Sequence, residues 1–357
     1  MAWQRQHGRH GLPWQQTTDA YRIWVSEIML QQTQVAAVIP FYQRFLQRFP
    51  EVAVLAAAPV DDVLAHWSGL GYYARARNLQ RAAQMVMTAH GGQFPVSRAV
   101  LETLPGIGRS TAAAIAAFAA GERTAILDGN VKRVFARCFA VEGYPSDAPV
   151  LARLWALADS LLPVSGAGAD AREDMRAYTQ GLMDLGSGVC LRGRPLCSAC
   201  PLASGCLALR DGLTAALPSR KPAKVKPERS ATLWLLRRGG EVLLERRPER
   251  GIWGGLWSLP EPAPNGLSLA EAPVRSFELR HVFTHFILNM TVQQVVLPEA
   301  PASPKAAPQA APAVAADSRH LQWHGLEPAL QLGLPAPVRL VLEQVLAEYA
   351  AGTVAGR

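Results

Sequence analysis

The chain has 357 residues, 49% of them hydrophobic, which fits a globular protein of about two domains, each with a real core. Thirty-six Lys and Arg against 28 Asp and Glu leave a formal charge of +8, a balance that favours a polyanionic partner, nucleic acid first. The Ala-rich apolar run at 112–120 is too short to span a bilayer, and the polar, basic first 13 residues lack the apolar core of a secretory signal.

These features read as a cytoplasmic protein with reduced thiols, not membrane-bound, in which clustered cysteines suggest metal before disulfides.

Residues 20–49 read as helix, with Tyr21, Trp24, Val25, Ile28 and Met29 forming a broad apolar stripe. Glu27 is the oddity on that stripe. Its neighbours three and four positions away are Ile23, Trp24, Leu30 and Gln31, so its carboxyl shares a mostly apolar face. Such burial raises a carboxyl pKa and makes a proton donor near neutral pH; the plain alternative is a solvated glutamate at the rim. Gln31, Gln32 and Thr33 then form a polar cluster able to bond to base edges or phosphates, or simply to end a helix.

Residues 59–90 read as a second helical pair, split by Gly69-Leu70-Gly71-Tyr72-Tyr73-Ala74-Arg75-Ala76-Arg77. Aromatic and basic side chains at a flexible turn suit a wedge that enters a base stack; a packed tyrosine pair with surface arginines is the competing reading. Leu104-Pro105-Gly106-Ile107-Gly108-Arg109-Ser110-Thr111 reads as a tight turn opening an Ala-rich helix, with Ser110 and Thr111 as capping residues. Backbone N–H groups at such a turn make a generic phosphate seat. Asp128 follows at another helix start, with Asn130 behind it, either as a plain N-cap or as a carboxylate aimed at developing positive charge.

Further helices are expected at 148–162 and 170–187. Cys190, Cys197, Cys200 and Cys206 give the pattern Cys-x6-Cys-x2-Cys-x5-Cys, fit for an iron–sulfur cluster or a structural zinc. Cys138, among Val134, Phe135 and Phe139, reads as a packed core thiol. A basic, Pro-rich linker at 215–230 closes a helical domain of residues 1–214. The texture then changes to strands at 231–236, 241–245, 274–279 and 286–296, a Pro/Ala-rich excursion at 298–316, and a helix at 335–349. The second domain, 231–352, is thus α+β while the first is nearly all helix.

At this point the motifs match a family. Leu-Pro-Gly-Ile-Gly-Arg-Ser-Thr-Ala, Leu-Asp-Gly-Asn-Val-Lys-Arg-Val and the cysteine spacing resemble the iron–sulfur branch of the helix-hairpin-helix DNA glycosylase superfamily. Trp24-Val-Ser-Glu-Ile-Met-Leu-Gln-Gln-Thr-Gln-Val resembles its adenine glycosylase (MutY) family. Gly251-Ile-Trp-Gly-Gly-Leu-Trp-Ser-Leu-Pro and His281-Val-Phe-Thr-His-Phe look like that family's Nudix-like recognition domain. The fold implied is an all-α helix-hairpin-helix glycosylase domain with a cluster loop, followed by an α+β Nudix-like domain.

The resemblance implies removal of adenine mispaired with 8-oxoguanine, and also with guanine, from double-stranded DNA by a monomer that sits on the nucleoid when bound. Glu27 would protonate adenine and Asp128 would stabilise or attack the sugar cation. The four cysteines would bind a [4Fe–4S] cluster. Gln31, Gln32, Thr33, Leu70, Tyr72, Gly106, Gly108, Ser110 and Asn130 would serve DNA binding. Thr284 and His285 would touch the oxidised guanine, with Thr284 where the family often has Ser. The strand-cutting relatives carry a lysine at the position of Ser110; without that amine no imine-based strand cleavage is expected. Between Gly254 and Glu278 no closely spaced run of glutamates suited to Mg²⁺ is found, so the second domain is expected to bind and not to hydrolyse.

Overall fold

The computed structural model describes residues 1–164, 169–221, 225–261, 273–298 and 320–355. Its helices are α1 (Ala2–His7), α2 (Ala20–Leu30), α3 (Val35–Arg48), α4 (Val52–Ala57), α5 (Val60–Trp67), α6 (Ala74–Ala89), α7 (Arg98–Leu101), α8 (Arg109–Ala120), α9 (Gly129–Cys138), α10 (Ala148–Ser160), α11 (Ala169–Asp184), α12 (Leu207–Arg210), α13 (Leu326–Ala329) and α14 (Ala336–Ala355). The strands are β1 (Glu228–Arg238), β2 (Glu241–Arg246), β3 (Trp257–Ser258), β4 (Arg275–Val282), β5 (Ile287–Val296) and β6 (Leu321–Gly325). Packing groups Met1–Ala57 and Asn78–Ala223 in one unit, and Ala58–Arg77 and Lys224–Arg357 in a second. Among the described residues, no helix is long and apolar enough to cross a membrane.

The first unit is helical. α8 packs on α2, and five of its alanines (Ala112, Ala113, Ala114, Ala116 and Ala117) are buried beside Ile115. Trp24, Phe45 and Ile115 are fully buried. The expected single helix over 20–49 is two helices. Asp19 caps α2 by accepting from the Tyr21 and Arg22 amides. The chain then turns through Gln32, whose φ of +59° is left-handed and cannot continue a helix. Gly106 turns the chain ahead of α8 with φ +80°, and a Cβ there would lie 2.8 Å from Asn78 Cβ, so both conformation and space require glycine.

Ser110 and Thr111 do not cap α8. Gly108 is its N-cap residue, and the Ser110 hydroxyl instead accepts from the Leu127 amide at 2.9 Å, tying α8 to the strand of backbone that leads into Asp128. α11 ends in a single π turn, Leu185–Val189, before the first cysteine of the cluster motif.

The second unit is built on a mixed sheet of order β3-β2-β1-β5-β4, with β6 also paired to β2. β1 and β5 run parallel, and the other pairs are antiparallel. Alternating residues of β1, β2 and β5 (Leu233, Leu235, Val242, Leu244, Leu288, Met290 and Val292) join Val338, Val341, Leu342 and Val345 of α14 in one core. The β1–β2 hairpin turns at Gly239-Gly240, with φ +50° at Gly239. β4 and β5 are joined by a turn in which the Phe283 amide donates to the Phe286 carbonyl at 2.9 Å, leaving Thr284 and His285 exposed at its tip. Of the segment between Gly254 and Glu278, the described part holds β3 and the start of β4 and no helix, while residues 262–272 lie outside the described residues. The Pro/Ala-rich excursion is likewise outside them from 299 onward.

Candidate active site and cysteine-lined cavity

In the first unit, α2 supplies Glu27 and the start of α9 supplies Asp128. Glu27 keeps some exposed surface, but its carboxyl is held away from water by the residues around it. Burial first, and the negative charge of Asp128 second, push its pKa up to about 8. The two side chains therefore share one electrostatic environment. Near neutral pH the arrangement offers a proton on Glu27 beside a carboxylate at a helix start.

Asp128 is an N-cap and more. Its Oδ1 accepts from the Asn130 and Val131 amides at 3.0 and 2.7 Å, which anchors α9. Its Oδ2 receives a longer contact, 3.4 Å, from the Asn130 side-chain amide. Asn130 is placed in turn by Arg133, whose Nη2 donates to Asn130 Oδ1 at 2.8 Å and to the Gly186 carbonyl at 2.5 Å. The Arg133 Nε donates to the Cys190 carbonyl at 2.7 Å. The π turn brings Gly186 so close that a Cβ there would sit 2.5 Å from Asn130 Cβ. Gln31 Nε2 reaches Thr111 Oγ1 at 3.4 Å, so the polar cluster after α2 meets the first turn of α8. Gln32 is exposed and Thr33 half-buried. Gly108 is exposed, and α8 starts there without a side-chain cap, so its first N–H groups are open to an anion.

Cys190, Cys197, Cys200 and Cys206 are free thiols that line one cavity of about 30 Å³, closed by Val134, Leu185, Val189 and Leu196. Cys138 lines the same cavity, so it is less isolated than its apolar neighbours in α9 suggested. Among the described residues no group of three or more His, Cys, Asp or Glu could hold a single metal ion. A lone zinc needs its four sulfurs about 2.3 Å from one point. Four cysteine thiols lining one mostly apolar cavity are the donor type that either a structural zinc or an iron–sulfur cluster takes. Arg137, only 2% exposed, organises this region. It donates to Cys190 Sγ at 3.3 Å and to the carbonyls of Leu191, Arg192 and Leu217. Neither Arg133 nor Arg137 stood out in the sequence, where both are ordinary charges on an amphipathic helix.

In the second unit, Tyr72 is 47% exposed at φ +49°, and its hydroxyl lies 3.2 Å from the Thr284 hydroxyl. Leu70 is 7% exposed, so of the two wedge candidates Tyr72 is the side chain the turn presents. Tyr73, Arg75 and Arg77 all bond to backbone carbonyls of the same unit.

A family model described as HhH-GPD superfamily base excision DNA repair protein matches residues 25–159, and a NUDIX domain model matches residues 231–344. The chain is 33% identical over 350 residues to the adenine DNA glycosylase of Buchnera aphidicola subsp. Acyrthosiphon pisum (strain APS), covering 96% of this chain and 95% of that one. It is 34% identical to the adenine DNA glycosylase of Mus musculus, covering 85% of this chain and 71% of that one. A solved structure of a thermostable thymine-DNA glycosylase matches with a TM-score of 0.52 and 28% identity, over 59% of this chain and 93% of that one. The helical first unit, the α+β second unit and these likenesses agree: the chain belongs to the adenine DNA glycosylase family, hydrolases of base-excision repair.

Proposed function

We propose that this enzyme hydrolyses the N-glycosidic bond of adenine mispaired with 8-oxoguanine, accepts adenine opposite guanine as a second substrate, and leaves the strand uncut. The observation that carries the reading is the pair of unlike carboxyls, a protonated Glu27 and a charged Asp128 sensing one another in one environment. Adenine is a poor leaving group as an anion. A proton from Glu27 on a ring nitrogen lets it depart neutral, with the electrons of the C–N bond. The deoxyribose left behind carries positive charge, which Asp128 stabilises until water adds at the sugar carbon and passes its proton to the carboxylate left on Glu27. The adenine must first leave the stack. Tyr72 serves as the wedge, Gln31, Gln32 and Thr33 contact the opened duplex, and the Gly106–Gly108 turn seats a phosphate.

Ser110 supports hydrolysis without strand cutting. Its hydroxyl is engaged with the Leu127 amide, and it offers no amine for an imine with the opened sugar. Thr284 and His285, at the tip of the β4–β5 turn, read the opposite base. The four cysteines hold a [4Fe–4S] cluster, which when bound braces the loop beyond α11. Arg133 and Arg137 are the residues of this chain that link that loop to α9 and so to Asp128.

The test is single-turnover release of free base from a panel of duplexes, with adenine opposite 8-oxoguanine, guanine, cytosine and thymine. Fastest release opposite 8-oxoguanine, with nicking only after added base or heat, is the expected result. Equal rates across the panel would remove the opposite-base assignment, and spontaneous nicking would remove the assignment of Ser110. Iron and acid-labile sulfide in equal amounts identify the cluster; zinc in their place would refute it.

A further inference from the structure

We propose that Arg77 and Tyr73 are positioning residues for opposite-base discrimination, fastening the turn that bears Tyr72 to the second unit so that the Tyr72 and Thr284 hydroxyls meet. The inference rests on the 8-oxoguanine reading above and names how that reading is mechanically set.

The turn is shaped from within but not aimed from within. Gly69, Gly71 and Tyr72 have φ of +107°, +70° and +49°, and the last is a side chain in a region that side chains rarely occupy. Contacts inside the segment run from Trp67 Nε1 to the Gly71 carbonyl and from Arg75 to the carbonyls of Leu70 and Gly71. They shape the turn and do not aim it. The aim comes from loops far away in sequence. The Tyr73 hydroxyl donates to the Leu334 carbonyl at 3.1 Å, and the Ser68 hydroxyl donates to the same carbonyl at 3.1 Å. Arg77 uses both ends of its fork, donating from Nη1 to the Gly254 carbonyl and from Nη2 to the Glu249 carbonyl at 3.3 Å. Beneath the turn, Gly333 lies so close to α5 that a Cβ would sit 2.9 Å from Leu64 Cβ, and Arg246 pairs with Asp61 at 2.9 Å.

Two loops of the recognition domain, 249–254 and 332–334, therefore grip the wedge segment, while the β4–β5 turn presents Thr284 to its tip. Guanine and 8-oxoguanine differ at position 8 and in the proton at N7. Telling them apart is a matter of a few hydrogen bonds, whose strength falls steeply with distance and angle. A pair of hydroxyls 3.2 Å apart, drawn from two segments, reads such a difference only while the segments keep their register. Arg77 and Tyr73 bond to backbone carbonyls, so the role assigned to them is to position the turn.

The full-length protein is tested as Arg77→Met, Arg77→Lys, Tyr73→Phe and Thr284→Val, and as the double variant Arg77→Met/Thr284→Val. The readout is the ratio of single-turnover adenine release opposite 8-oxoguanine to that opposite guanine. Arg77→Met is expected to lower the ratio about ten-fold and Tyr73→Phe about three-fold, with part of the loss restored in Arg77→Lys. In the Thr284→Val background, Arg77→Met should cost less than about two-fold more, because the pair it aligns is already gone. A loss that adds in full in the double variant overturns the proposal. So do rates that fall together and leave the ratio unchanged. Should Arg77→Met fail to fold, Tyr73→Phe, which loses one oxygen, decides alone. A wild type without preference for 8-oxoguanine overturns the functional reading and this inference with it. A wild type that prefers it, beside variants that keep its ratio, overturns this inference only.

Discussion

The Glu27 carboxyl is buried beside the charge of Asp128, and burial first, that charge second, lifts its pKa from an ordinary 4.5 to about 8. The acid is therefore protonated below that value and spent above it. Adenine release should be flat from neutral pH up to about 8 and fall roughly ten-fold per unit beyond, with duplex binding unchanged. Glu27→Gln should lower single-turnover release by roughly 10²–10⁴-fold and remove the alkaline limb of the profile, while binding to the mispaired duplex survives. Full turnover by that variant would end the assignment.

The same shift has a consequence for stability. The folded chain holds a proton on Glu27 that the unfolded chain gives up near 4.5, so the folded state binds more protons between 4.5 and about 8. Linkage then makes stability fall as pH rises through that window, by on the order of 4–5 kcal/mol in all, and flatten above it. Glu27→Gln has nothing to ionise. It should melt above the wild type at pH 8, with the gap closing toward pH 5, as thermal unfolding at a series of pH values will show. A gap that widens toward acid would contradict the environment described for Glu27.

Asp128 has two tasks that substitutions can separate. Its Oδ1 caps α9, and in the proposed mechanism its charge steadies the sugar cation. Asp128→Asn keeps an oxygen for the Asn130 and Val131 amides, so it should lose about 10²–10³-fold in release with little loss of stability. Asp128→Ala should lose the same rate and about 1 kcal/mol of stability besides. Equal melting temperatures for the two variants would argue against the cap.

How much of this was legible differs from residue to residue. Glu27 could be read because its helical neighbours are local in sequence, and a carboxyl among Ile23, Trp24 and Leu30 announces its own desolvation. Asp128 could be read as a helix start on the same grounds. The break at Gln32 could not, because glutamine and threonine tolerate helix and only the left-handed φ ends it. The capping of α8 was misread since Ser110 spends its hydroxyl on Leu127, 17 positions away, which local rules do not weigh. The anchoring of the turn that bears Tyr72 was invisible. Arg77 finds its acceptor 177 positions downstream, and an arginine one helical step past two tyrosines looks like any other surface charge.

Gly186 shows how tightly the π turn is fitted to the active-site helix. A methyl group there would meet Asn130 Cβ at 2.5 Å, a contact with no room to form, so Asn130 or the turn must shift. Gly186→Ala should leave the amides of Asn130 and Val131 on Asp128 Oδ1 but disturb the Asn130 amide on Oδ2 and the Arg133 bridge to Cys190. The expected outcome is about a ten-fold loss in release with an unchanged Glu27 pH limb, and overpacking that costs about 1–3 kcal/mol. Wild-type rate and melting temperature together would show that the turn has slack.

Arg137 is a buried charge bonded along the cysteine loop. Its guanidinium is shared among Cys190 Sγ and three carbonyls, Leu191, Arg192 and Leu217, so α9, the loop and the chain leaving the first unit meet at one side chain. Arg137→Met fills the space but leaves those carbonyls without their donor, and each orphaned group costs about 1–3 kcal/mol. Arg137→Lys keeps the charge but has one nitrogen where the fork had three, so it should recover only a fraction. With the proposed cluster bound, both variants are expected to lose iron and sulfide on dilution faster than the wild type, Met more than Lys, before any change in the sheet-rich second unit registers by circular dichroism. Retention of the cofactor at the wild-type rate in Arg137→Met would show that the four thiols hold their loop without this arginine.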